Sequence, residues 1–178
     1  MKRTLAFALL VLFAVPVFAA QNTKPAAKGF RAEFGHDLDD VQKKIIDLAT
    51  AVPANKYSWR PAEGVRSISE VYTHIAGGNY FLATFLGVKP PADMPKDIER
   101  ITDKQTVLAE LRKSFEHLHG IVNNMADADL EKSVNMFGNA TTERGVYVTI
   151  LTHLHEHLGQ SIAYARMNGV MPPWSRKE

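Results

Sequence analysis

The chain has 178 residues, 46% hydrophobic and 22% charged, which predicts one globular domain and excludes a disordered chain or a polytopic membrane protein. Lysine and arginine number 21 against 19 aspartate and glutamate residues, and the net charge of +2 excludes a nucleic-acid binder that relies on a general basic field. The absence of cysteine excludes disulfides, a thiolate nucleophile and a cysteine-ligated zinc site, and it leaves seven histidines as the main candidates for chemistry.

The N-terminus has the features of a secretory signal peptide. A positively charged start precedes an apolar run over residues 5–15, and small residues stand at the third and first positions before a cut after Val17-Phe18-Ala19. The run is shorter than the roughly 20 apolar residues that span a membrane, so an uncleaved anchor is the less favoured alternative. We therefore expect a signal peptide over 1–19 and a flexible leader over 20–29. The mature protein is expected to be soluble and exported, periplasmic or secreted, with no stable membrane anchor.

Helical periodicity dominates residues 30–178, which we expect to form one domain. The first helical pattern runs from about Phe30 to Ala51, with apolar residues at three- and four-residue steps. The second begins at Ser67-Ile68-Ser69-Glu70, a capping box whose hydroxyl and carboxylate satisfy the free amides of a helix start, and it ends near Gly87. The third begins at Thr102-Asp103-Lys104-Gln105, a second predicted capping box, and ends by about Met125. The fourth runs from about Thr142 to Asn168 and is closed by Gly169.

The segments between these helices are loops in the sequence pattern. Residues 53–61 are rich in proline and aromatics, which predicts an ordered loop packed by Tyr57 and Trp59. Residues 127–139 are polar and irregular, although Val134, Met136 and Phe137 would suit a short extended or single-turn piece. Four helices of about 20 residues without a strand pattern between them predict an all-α protein, an antiparallel four-helix bundle.

Three histidines have the spacing of metal ligands. His153 and His157 are four residues apart on the last helix and share a face, whereas His155 points away from both. His74 belongs to the inward, largely apolar stripe of the second helix and is the natural third ligand. Leu154 stands where the zincin motif HExxH has its glutamate, so a thermolysin-like peptidase is disfavoured. The pattern predicts a metal site at His74, His153 and His157, and hydrogen-bonded core histidines are the alternative.

A site with only three protein ligands keeps coordination positions open for water or substrate. Further along the same face of the last helix, three polar residues are candidates to orient a substrate or, alternatively, to pack between helices: Gln160, Ser161 and Tyr164. No residue stands out as a general acid or base. The remaining ionisable residues near these patterns are expected to be exposed or singly hydrogen-bonded: His36, His117, His119 and Glu156.

Two segments resemble the DinB-like superfamily, the damage-inducible four-helix family that is unrelated to the DNA polymerase of similar name. They are residues 67–81, which contain the single histidine of the second helix, and residues 153–174, in which HxxxH is followed by Gly-Gln and then by Tyr-Ala-Arg-Met-Asn-Gly-Val-Met-Pro-Pro-Trp. The resemblance extends over Phe30 to Trp174. It implies a four-helix bundle with a divalent metal, zinc or nickel, at His74, His153 and His157. Related proteins include bacillithiol S-transferases and mycothiol-dependent isomerases, in which the ion activates a small thiol.

Three functions remain open at this point. The first is an exported metal-dependent enzyme, a hydrolase or a thiol-transferase-like protein, that acts on a small molecule of unknown identity. The second is a non-catalytic bundle that binds a metal or small ligand. The third is a purely structural bundle in which the histidines only form hydrogen bonds. Bundles often pair through exposed helix faces, so a homodimer is left open as well.

Overall fold

The computed structural model describes residues 29–175, so the predicted signal peptide and the leader before Gly29 lie outside the described residues. Four helices account for most of the described range: α1 Phe30–Ala51, α2 Ile68–Ala83, α3 Lys104–Asn123 and α4 Glu143–Met167. These bounds lie within a few residues of those expected from the hydrophobic periodicity. Within residues 29–175 no helix combines the length and the apolar character needed to cross a membrane.

The helix ends follow the local sequence signals in most cases. Ser67 caps α2 through its side chain, and Glu70 closes the reciprocal capping box as predicted. At α3 the prediction was wrong in detail, because the cap is Asp103, whose carboxylate accepts the backbone N–H of Thr106. Asp and Thr are both good caps, and the two overlapping candidates could not be ranked from their side chains alone. Thr142 caps α4, and the left-handed Gly169, with φ of 74°, follows its end.

The predicted four-helix bundle is confirmed, and the contacts between helices give its connectivity. α1 packs against α3 and α4, and α2 also packs against α3 and α4, so α1 and α2 occupy opposite corners. α2 runs antiparallel to α4, since its middle meets the middle of α4 and its end meets the start of α4. α2 and α3 run in the same direction, as the successive contacts Asn79 to Ser114 and Tyr80 to His117 indicate. The chain must therefore return along α2 between residues 87 and 103 before α3 begins.

The core lies between the four helices and is closed at one end by the 53–61 loop. Tyr57 is buried there and donates a hydrogen bond from its hydroxyl to the carbonyl of Ala49 at 2.8 Å, as expected for an ordered loop. Trp59 packs edge-on against Tyr164, with ring centroids 5.4 Å apart. The start of α2 is attached to the same loop, because the N–H of Ser69 donates to the carbonyl of Tyr57 at 2.9 Å. This fixes the beginning of the helix that carries His74.

A short hairpin before α4 was not predicted as such. Strand β1, Ser133–Met136, pairs antiparallel with β2, Asn139–Thr142. The two-residue connection, Phe137 and Gly138, has positive φ at both positions, 54° and 83°, which is the backbone of a type I′ hairpin turn. Phenylalanine is rare at positive φ, so the sequence does not predict this turn. The exposed ring of Phe137 is held by Phe85, with centroids 5.1 Å apart.

Candidate metal centre

Three histidines meet where the middle of α2 faces the middle of α4. The ring centroids of His74 and His157 are 4.8 Å apart, those of His153 and His157 are 4.6 Å apart, and those of His74 and His153 are 5.2 Å apart. One nitrogen from each ring lies within 4.8 Å of the others. Among the described residues, this is the group of histidine and acidic side chains with the spacing of a metal site. The antiparallel packing of α2 and α4 thus brings the i, i+4 pair His153 and His157 next to His74, which lies 79 positions before His153.

The Nε2 atoms of His74 and His153 approach each other at 3.4 Å. Zinc bound tetrahedrally to imidazole at about 2.0–2.1 Å would place two ligand nitrogens about 3.3 Å from each other. The separation of these two atoms is therefore already close to the value that an ion would require. His157 lies one helical turn after His153 on α4, and it is buried.

Gly78 makes this close approach possible. It lies one turn after His74 on α2, and the ring of His153 packs directly against its backbone. A Cβ atom at position 78 would stand 2.4 Å from Cε1 of His153, far inside an ordinary carbon contact. The ring of His153 therefore occupies the space that a side chain at position 78 would fill.

Two of the three rings are oriented by a partner on the nitrogen opposite the centre. Nδ1 of His74 donates to Oε1 of Glu99 at 2.8 Å, and Nδ1 of His157 donates to Oε1 of Gln160 at the same distance. A hydrogen on Nδ1 leaves the lone pair of Nε2 free, which is the tautomer that a metal requires. The amide of Gln160 is itself held in place, because its Nε2 donates to the hydroxyl of Tyr164 at 3.0 Å. These contacts fit a metal-binding role better than a hydrogen-bonded histidine cluster.

The surroundings favour uncharged imidazoles. Burial, followed by the charges of His157, His74 and Arg66, lowers the pKa of His153 to about 4. Burial is also the main cause that lowers the pKa of His157. Both rings are therefore neutral near pH 7 and available as ligands without losing a proton. Nδ1 of His153 is buried and has no hydrogen-bond partner among the described residues.

The comparisons with known proteins identify the family of this chain. The family model of the DinB superfamily matches residues 37–161. The chain belongs to the DinB superfamily. A search of curated proteins found no significant match.

Solved structures share the fold of this DinB-superfamily chain at low sequence identity. A DinB-like protein from Bacillus cereus is 19% identical with a TM-score of 0.67, and the match covers 79% of this chain and 93% of that one. A DinB-like protein from Bacillus subtilis is also 19% identical with a TM-score of 0.65, covering 82% and 99%. YfiT from Bacillus subtilis, described as a probable metal-dependent hydrolase with an unusual four-helix bundle topology, is 16% identical with a TM-score of 0.61, covering 83% and 94%.

The three residues predicted to orient a substrate have different surroundings. Gln160 lies beside the metal centre through its contact with His157 and lines a cleft at the surface. The hydroxyl of Ser161 donates to the carbonyl of His157 at 2.7 Å, so it is used inside the helix. Tyr164 is buried against Trp59, and its hydroxyl accepts the hydrogen bond from Gln160. Of the three, Gln160 is the one that the structure places at the site.

The other histidines lie away from the triad. His155 is exposed on the outer face of α4, where its Nδ1 donates to the carbonyl of Leu151 at 2.9 Å. His36 is exposed on α1, and His119 contacts Gln42 across α1 and α3. The ring of His117 packs against Tyr80, and its Nε2 is buried without a partner in the described range. Glu156 is exposed.

Glu99 was missed by the sequence analysis. It belongs to a 3-10 turn, Ile98–Arg100, on the segment that returns along α2, and it is 25 residues away from the histidine it contacts. No spacing rule connects a loop glutamate to a helix histidine at that distance. Only a general chemical rule could have suggested a residue such as Glu99, because metal-bound histidines usually donate a hydrogen bond to a carboxylate or carbonyl.

Proposed function

We propose that this protein is an exported metal-dependent enzyme of the DinB superfamily that holds a divalent ion, zinc or nickel, with His74, His153 and His157. The observation that carries the proposal is the convergence of the rings, two of which have Nδ1 occupied by Glu99 or Gln160 and Nε2 free. Three protein ligands without a fourth are typical of catalytic rather than structural zinc sites.

The chain's own residues supply ligands, orientation and a partly buried setting. When bound, a divalent ion supplies Lewis-acid catalysis and lowers the pKa of a water or thiol nucleophile. The hydrogen bonds from His74 and His157 fix both rings, so little reorganisation is needed when the ion binds. Burial keeps His153 neutral. Hydrolysis of a small ester or amide and transfer of a small thiol are the reaction classes that this arrangement supports.

A non-catalytic binding role is the second candidate, and one observation favours it. The carboxylate in the cleft beside the site is Glu70, and both of its oxygens are occupied. One accepts from Arg60 at 3.0 Å and the other from the backbone of Ser67 at 2.6 Å. Within the described residues the cleft lining therefore offers no free carboxylate as a general base. A protein that only stores or senses a metal would need none.

Metal content is the first test of the proposal. The protein should be purified without a histidine tag, beside His74→Ala and His157→Ala, and its metal measured by inorganic mass spectrometry. His155→Ala is the matched control, because it removes an imidazole from the opposite face of the same helix. We expect about one ion per chain in the wild type and the control, and a loss in the other two variants. Retention of the ion by His74→Ala and His157→Ala, or its absence from reconstituted wild type, would disprove the site.

A screen of the metal-loaded protein separates catalysis from binding. Ester hydrolysis, amide hydrolysis and thiol conjugation should be assayed with the wild type and His153→Ala. Turnover that disappears with His153→Ala supports the enzyme, whereas consistent inactivity of a fully loaded protein supports the binding role. Export is tested separately by the N-terminal sequence of the mature protein, which should begin at Ala20.

A further inference from the structure

An open cleft of about 630 Å³ lies beside the metal centre. Six residues line it: Arg60, Gly64, Val65, Arg66, Glu70 and Gln160. Gln160 also contacts His157, so the cleft lies beside one of the residues that orient the histidines. Two of the lining residues, Arg60 and Arg66, carry guanidinium groups.

The guanidinium of Arg60 is already used by the fold. It donates to the carbonyl of Val65 at 2.7 Å and to Oε1 of Glu70 at 3.0 Å. Glu70 in turn belongs to the capping box of α2. The charges of Arg60 and Glu70 neutralise each other, and their contact attaches the loop to the helix. Arg60 is therefore less available than Arg66 to bind a ligand.

Arg66 has no comparable structural role. It is exposed, and within residues 29–175 no hydrogen bond or ion pair involves its guanidinium. It directly precedes Ser67, the cap of α2, where the positive end of the helix dipole disfavours a cation. It lines the same cleft as Gln160, whose amide oxygen contacts Nδ1 of His157. The fold therefore carries an unpaired cation at an unfavourable position beside the site.

The charge of the site also favours an anionic ligand, an inference that rests on the proposed metal function. Imidazole ligands add no negative charge to a divalent ion, and Glu99 supplies one carboxylate, behind His74. In the cleft lining Glu70 is paired with Arg60, so the guanidinium of Arg66 has no carboxylate partner there. We propose that the substrate of this site carries an oxyanion, a carboxylate or phosphate group, and that the Arg66 guanidinium binds it. The planar guanidinium matches such a group with two parallel hydrogen bonds.

Calorimetric titration of the zinc-loaded protein with succinate and with inorganic phosphate tests this inference. Succinamide, which is uncharged, serves as the blank ligand. We expect Arg66→Gln to weaken binding of at least one oxyanion about 10-fold or more. Arg66→Lys should lose less, because it keeps the charge but not the paired geometry. Arg112→Gln removes an exposed arginine of α3 and should leave the binding unchanged. The oxyanion whose binding depends on Arg66 identifies the type of group.

Equal binding by wild type and Arg66→Gln, or no binding of either oxyanion to zinc-loaded wild type, would overturn the inference. Zinc content is measured in the same samples, so the two proposals fail in different ways. If zinc is retained and oxyanion binding does not depend on Arg66, the oxyanion inference fails alone. If the wild type holds no zinc, both proposals fail. The unfolding temperature of Arg66→Gln should equal or slightly exceed that of the wild type, because an unfavourable helix-dipole contact is removed.

Discussion

The contact between Gly78 and His153 leads to the sharpest test of the metal centre. Gly78→Ala adds one methyl group in the middle of α2, where alanine would ordinarily favour the helix by about 1 kcal/mol. The new Cβ would stand 2.4 Å from Cε1, 3.1 Å from Nε2 and 3.2 Å from Nδ1 of His153. Because the whole ring faces the new atom, a small rotation of the imidazole cannot relieve the clash.

The displacement can be estimated from these distances. An ordinary carbon contact is about 3.5 Å, so the ring of His153 must move about 1 Å. Metal–nitrogen bonds hold within about 0.2 Å of their preferred length, so the ring would no longer reach an ion that is centred on the other two ligands. If α2 and α4 separate instead, His74 moves away with α2. Loss of a single outer hydrogen bond costs 10–100-fold in metal affinity, and we expect Gly78→Ala to lose at least about 100-fold.

Zinc affinity is measured by competition with a chromogenic chelator, and the stability of the metal-free protein by thermal unfolding. Gly159→Ala is the matched control, a helical glycine of α4 at which the added atom meets nothing within 4 Å. Wild-type zinc affinity in Gly78→Ala would refute the assignment of His153 as a ligand that packs on this glycine.

Three further predictions concern orientation, protonation and helix capping. Glu99→Ala should lower zinc affinity about 10–100-fold, because the hydrogen bond that orients His74 is lost, whereas Glu156→Ala on the exposed face of α4 should not. The pKa of about 4 for His153 in the folded protein lies below its value of about 6.5 in the unfolded chain. At pH values between these two, the unfolded state therefore binds more protons than the folded state. The free energy of unfolding of the metal-free protein should therefore fall as the pH drops from about 6.5 to 4, and less steeply in His153→Leu. Lys104→Met should destabilise the protein by about 1–2 kcal/mol, because this ammonium donates to two carbonyls at the end of α1.

Each of these predictions has a result that would contradict it. Equal zinc affinity in Glu99→Ala and wild type would show that the carboxylate does not position His74. Identical pH profiles of chemical unfolding in wild type and His153→Leu would show that His153 does not remain neutral through burial. Lys96→Met is the control for Lys104→Met, because Lys96 is an exposed lysine of the 87–103 segment. Equal unfolding free energies in these two variants would exclude the capping role.

The sequence predicted the helices well because each helix carries its signals locally. The apolar stripe of α1, the capping box at Ser67 and the glycine after α4 act within a few residues of the feature they specify. Where two local signals competed, at Thr102 and Asp103, the prediction chose the wrong cap. The hairpin was missed because Phe137 adopts a left-handed backbone that its own preference does not indicate, and its ring is held by residues of the α2 end.

The amino-acid sequence limits the side chains that are available for metal chemistry: it has no cysteine, an i, i+4 pair of histidines on one helix face and an inward histidine on another helix. How these histidines meet depends on the packing of the helices. Parallel α2 and α3 require the chain to return along α2, and that return places Glu99 behind His74. Because α2 packs closely on α4, the ring of His153 lies where a side chain at position 78 would otherwise be. Both contacts join residues far apart in the chain, and the distance between such residues depends on how whole helices pack, which local periodicity does not encode.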